Sequence, residues 1–104
     1  MARVTLEFWM GMGKELGGDF RSPSQLSSIL ETEVEDGIAV MTLFHHLADR
    51  YPPIGERVFD REKSRFYPSV VVTFNDRVTG LKELHEKILK DGDKVKVVPM
   101  YVGG

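Results

Sequence analysis

At 104 residues, with 41% hydrophobic and 29% charged residues, the chain has the composition of one globular domain with a single core. Its 14 basic and 16 acidic residues leave a net charge of −2, too small a field to argue for nucleic acid or a membrane surface as partner. Cysteine is absent, which excludes disulfides, thiolate metal sites and a cysteine nucleophile, and no apolar run reaches the roughly 18 residues of a membrane-spanning helix.

Val4, Leu6 and Phe8 alternate with Thr5, Glu7 and Trp9, the period of a half-buried strand. The opening Met1–Glu7 lacks the apolar region of a signal peptide. With the missing cysteines, this leads us to expect a cytoplasmic protein. Gly11, Gly13, Gly17 and Gly18 then interrupt any period, so 11–28 reads as turn and loop. A dinucleotide fingerprint fails there, because Leu16 holds the place of its third glycine. Leu30, Thr32 and Val34 alternate with Glu31, Glu33 and Glu35, a second strand with one acidic, exposed face.

Asp36-Gly37 is a turn signal, and Val40, Leu43, Phe44 and Leu47 follow at the spacing of one helical stripe. That stripe reads as core. His45 and His46 lie on this helix but point about 100° apart, so they do not converge on a metal, and His85 is remote in sequence. Pro52-Pro53 stops the helix. Over 53–68, Arg57, Arg61, Lys63 and Arg65 are offset by Glu56, Asp60 and Glu62. We read a long, solvated connection with some order, in which Phe59, Phe66 and Tyr67 serve either as anchors or as a partner surface. The β-branched run Val70–Phe74 has the character of a central strand. Asn75-Asp76 turns it, Arg77–Thr79 forms a short return strand, and Leu81, Leu84 and Ile88 suggest a helical turn or two. Asp91-Gly92-Asp93 is a further turn before a last strand over Lys94–Val98, which Pro99 ends. The sum is an α+β fold, a sheet packed on one main helix.

The sequence then runs Met100-Tyr101-Val102-Gly103-Gly104. At about 7% glycine usage, two in succession at a terminus arise by chance roughly once in 200 chains. Glycine crowds the final carboxylate least and fits a slot too narrow for a Cβ. The arrangement suits a tail whose α-carboxyl group is itself the reactive group, offered to another protein's active site. No catalytic constellation is visible elsewhere, so the chain reads as a protein co-substrate rather than an enzyme.

The order of elements, with Val4–Trp9, Ala39–Leu47, Tyr51-Pro52, Val72–Asp76 and the series Leu89–Val95, Pro99, Gly103-Gly104, resembles the ubiquitin-like β-grasp sulfur carriers. These are the small subunit of molybdopterin synthase, the thiamin-pathway carrier and the tRNA-thiolation modifier. The Asp-Gly-Asp turn, strand, proline and terminal Gly-Gly in series are the specific part. The resemblance implies a β-grasp domain over 1–98, a mixed sheet curled around the main helix with the central and final strands parallel, and an extended tail over 99–104. It implies that Gly104 is adenylated with ATP and magnesium by a partner resembling the ubiquitin-activating enzymes, then converted to a thiocarboxylate. Gly103, Val102, Tyr101, Met100 and Pro99 would be the recognition residues of the tail. No cofactor or metal is implied for the chain itself. The sulfur acceptor would be a molybdopterin synthase large subunit or another acceptor enzyme. Stretches 11–28 and 53–68 exceed those of the leanest members and point away from the compact thiamin branch. A ubiquitin-like modifier, a tRNA-thiolation carrier and a β-grasp binding module remain the alternatives.

Overall fold

The computed structural model describes residues 1–100; the expectations placed on Tyr101, Val102, Gly103 and Gly104 lie outside them. The elements run β1 (Ala2–Trp9), α1 (Gly13–Leu16), β2 (Ser27–Val34), α2 (Val40–Arg50), α3 (Pro52–Arg57), β3 (Phe59–Asp60), β4 (Arg65–Phe66), β5 (Val70–Phe74), β6 (Arg77–Val78), α4 (Leu81–Glu86) and β7 (Lys94–Pro99).

Five strands form one mixed sheet in the order β2-β1-β7-β5-β6. Alternation decides its faces. Ala2, Val4, Leu6 and Phe8 of β1 are buried toward α2, and Leu6 stands opposite Leu30 of β2 and Val95 of β7. Helix α2 lays Val40, Leu43, Phe44, Leu47 and Ala48 on that surface, the expected stripe with one residue added. The resulting architecture is the β-grasp, with the sheet wrapped on its main helix.

The parallel partner of the final strand is the opening strand, not Val70–Phe74. Strand β7 runs parallel to β1 and antiparallel to β5. Strand β5 is fourth of five and is covered beyond by only the two residues of β6. Its valine run suggested a central strand, but Val71 is half-exposed on the outer face while Val70 and Val72 are buried.

Two stretches read as connections are parts of the core. In 11–28, Met12, Leu16 and Phe20 are buried, and Phe20 meets Tyr51 edge-on at 5.0 Å between centroids. In 53–68, Ile54, Val58, Phe59 and Phe66 are buried. Pro52-Pro53 ends α2 but also begins α3, because a fixed φ and a missing N–H suit the first helical turn. The β3–β4 hairpin then folds back, and Phe66 packs on Phe44 at 4.8 Å and on Phe59 at 5.3 Å. Two of the four cations of 53–68 pair with carboxylates outside the stretch: Arg57 meets Glu15 and Arg61 meets Asp49. These are exposed pairs that contribute at most about 1 kcal/mol each.

Candidate functional site at the root of the C-terminal segment

The Asp-Gly-Asp turn fixes where β7 starts. Gly92 sits at φ 88°, a region that costs a side chain dearly, and its N–H donates to the Arg3 carbonyl at 2.8 Å. The Arg3 N–H in turn donates to Asp91 Oδ1 at 2.8 Å. Asp93 Oδ2 accepts from the Lys90 N–H at 2.7 Å, and its Oδ1 accepts from Asn75 Nδ2 at 2.9 Å. Asn75 Oδ1 accepts from the Lys94 N–H at 2.7 Å, and the Asn75 N–H donates to the Lys94 carbonyl at 2.8 Å. One turn thereby ties the start of β7 to β1 on one side and to the β5–β6 hairpin on the other. Val95 and Val97 then plug the strand into the core.

At its far end β7 stays paired longer than the sequence indicated. Pro99 stands opposite Val70. The Val70 N–H turns away to the Tyr67 carbonyl at 3.2 Å, so this pair sets no β5–β7 hydrogen bond that a proline would forfeit. The Met100 N–H donates to the Ser69 carbonyl at 2.8 Å. Thus Pro99 and Met100, expected in the tail, are held at the sheet's end, and Met100 is half-exposed there.

The outer face of the sheet divides by charge. Register places Thr5 beside Lys94 and Glu7 beside Lys96. Lys94 Nζ lies 3.3 Å from Glu7, and Lys96 Nζ stands over the Trp9 ring at 5.6 Å from its centroid. Two residues further on along each strand, Trp9 (37% exposed), Val98 and Val71 share the same face beside Met100. An apolar end of the face therefore surrounds the place where the last residues begin. No local pattern in the sequence joins Trp9, Val71 and Val98 into a group. The signal was available in their outward phase, but it needed the β1–β7–β5 register to bring three distant strands together. No helix of the described residues is long and apolar enough to cross a membrane.

The histidines do not come together. His45 Nε2 lies 3.0 Å from Ser64 Oγ and its ring meets Phe59 edge-on, whereas His46 lines a groove beside β2. Among the described residues no three His, Asp or Glu side chains are placed to hold a metal ion.

A mixed sheet wrapped on one main helix, with its last strand pinned at both ends, is the architecture of the ubiquitin-like β-grasp class. Residues 22–104 match the ThiS family model, and the chain belongs to that family. The match includes the 53–68 stretch but begins within the first long one. No curated protein is matched by the sequence. Among solved structures the chain is similar to small archaeal modifier protein 1 of Haloferax volcanii, with TM-score 0.67, 17% identity and coverage of 97% of this chain and 100% of that one. It is similar to a putative molybdopterin converting factor subunit 1 of Pyrococcus furiosus, with TM-score 0.65, 22% identity and coverage of 97% and 100%. The modifier protein 1 of Methanosarcina acetivorans gives TM-score 0.63, 24% identity and coverage of 100% and 98%. At these identities the three similarities establish the fold, and the expected β-grasp architecture stands.

Proposed function

We propose that this chain is a sulfur carrier whose Gly104 carboxylate is activated and thiolated by partner enzymes, in the assembly of the molybdopterin (molybdenum or tungsten) cofactor. The observation that carries this reading is the pinned β7, whose end lies beside the apolar Trp9–Val98–Val71 patch with four residues still to come. An activating enzyme can dock on that patch and take up Tyr101 to Gly104. From Met100, four extended residues reach about 14 Å, less than the six counted from sequence.

The chemistry follows from the group itself. An α-carboxyl with a pKa near 3.5 is an anion at neutral pH and a poor electrophile. Its oxygen attacks the α-phosphorus of ATP, pyrophosphate leaves, and an acyl adenylate forms. Sulfide or a persulfide sulfur then attacks the acyl carbon and AMP leaves, yielding the thiocarboxylate; a persulfide donor needs a thiol to release the bound sulfur. The partner supplies magnesium and the phosphate-binding groups. The carrier's share is positioning, and on this reading it is a co-substrate with no catalytic residue of its own.

Intact-mass measurement tests this directly. Incubation with an activating enzyme, Mg-ATP and a sulfide source should exchange one oxygen for one sulfur. A chain lacking Gly103-Gly104 should stay unmodified with an unchanged circular dichroism spectrum. A full-length chain that never forms adenylate with any ubiquitin-activating-type enzyme overturns the proposal. The modifier proteins among its structural neighbours favour a second reading, in which a lysine amine captures the acyl adenylate. Isopeptide-linked Gly104 recovered from cells would select it.

A further inference from the structure

Strand β2 is an edge of the sheet, and half of that edge is open. At its start the Ile29 N–H and carbonyl are taken by Arg21, at 2.7 and 2.8 Å. The alternation of the β1–β2 ladder turns the backbone groups of Glu31 and Glu33 the same way, outward. Among the described residues no backbone partner meets them there; the Glu33 carbonyl has only a long, 3.4 Å contact with the Thr32 hydroxyl. Beside this edge lies a groove of about 600 Å³ between β2 and α2, floored by Leu30, Val34, Leu43 and Leu47.

We infer that this edge and groove bind an extended segment of a partner protein, added as a sixth strand, in which basic residues alternate with aliphatic ones. Register dictates the alternation. Residues of an added strand aligned with Leu30, Thr32 and Val34 face the groove and α2, so they must be apolar. Residues aligned with Glu31 and Glu33 face the opposite side, where a Lys or Arg meets a carboxylate across the strands. Glu31 already has exposed contacts with Arg3 at 3.7 Å and Arg21 at 3.6 Å, but among the described residues Glu33 and Glu35 have no ion-pair partner. The charge of the rim also argues against a second copy of this chain. Antiparallel β2–β2 pairing would set Glu31 and Glu33 against the same carboxylates, which is destabilising. The groove lies on the helix side of the sheet and the Trp9–Val98–Val71 patch on the other, so both faces can be occupied together.

The probe is a short capped peptide alternating Lys with Val, titrated into the isotope-labelled full chain and followed by NMR. The expected result is slowed amide exchange at Glu31 and Glu33, with methyl shifts at Leu30, Leu43 and Leu47. The exposed double substitution Glu33→Lys/Glu35→Lys should weaken this binding about tenfold. It should also improve binding of a Glu–Val peptide, a readout that a merely damaged fold does not give. Three results overturn the inference: no shifts in the groove at millimolar peptide, shifts confined to the Trp9 face, or concentration-dependent self-association through β2. Because the substitutions lie away from the tail root, their effect is separable from failure of the thiolation reaction.

Discussion

Phe66 is the sharpest test of the claim that 53–68 is core. Its ring is buried against Phe44 at 4.8 Å and against Phe59 at 5.3 Å and 87°, both edge-on. Truncating a buried Phe to Ala costs about 3–5 kcal/mol, and two aromatic contacts place this site in the upper half. With unfolding entropy near 2.1 cal/mol/K per residue, 104 residues give about 0.22 kcal/mol/K, so a 4 kcal/mol loss lowers Tm by about 18 °C. Urea unfolding followed by Trp9 fluorescence and by circular dichroism measures it, with Phe66→Leu as a milder variant of intermediate effect. A substitution in a solvated connection shifts stability by only about 0.5 kcal/mol. Should Phe66→Ala fall in that range with an unchanged m-value, the hairpin is not part of the cooperative core and our account of the fold is wrong.

Gly92→Ala should cost about 1–2 kcal/mol by strain alone, because φ is 88° and no atom lies within 4 Å of the added methyl; thermal unfolding reads it. Asn75→Ala removes both side-chain hydrogen bonds that tie the β5–β6 turn to β7 and leaves alanine at φ 50°, so a loss of about 1–3 kcal/mol is expected in urea titrations. Tyr51 gives a pH signature. Burial first, then its 2.8 Å hydrogen bond to Asp19, raise its hydroxyl above the ordinary value of 10.0, against a lowering by Arg50. The stability this confers is complete below pH 10 and is lost as pH rises through the folded-state value. Wild type should therefore lose more stability than Tyr51→Phe above about pH 10. Equal slopes for the two proteins in alkaline urea titrations refute the assignment.

What the sequence revealed depended on how local the signal was. The α2 stripe, the β1 alternation and the Asp-Gly-Asp turn declare themselves within a few residues, and each is found in place. Met12, Leu16 and Phe20 share one spacing of four, but the glycines among them masked it. Ile54, Val58, Phe59 and Phe66 were hidden differently: they sit in a charge-rich stretch after two prolines, and only contact with Phe44 makes them core. The parallel pairing of β7 with β1 is a long-range choice that no window of residues encodes. Of the candidate site, Gly103-Gly104 is legible as composition. The patch at its root exists only once three strands are in register.

Because β1 and β7 run the same way, Met1 and Pro99 stand at opposite ends of the sheet, about 26 Å apart along the eight residues of β1. A fusion partner, dye or solid support joined ahead of Met1 is thus kept clear of the end of β7 and of the apolar patch beside it. The cost falls elsewhere: the Met1 amine sits 3.3 Å from Asp36 at the mouth of the β2–α2 groove. A tethered protein would serve well for assays of acyl transfer and poorly for assays of strand addition, and comparing the two attachments would distinguish one surface from the other.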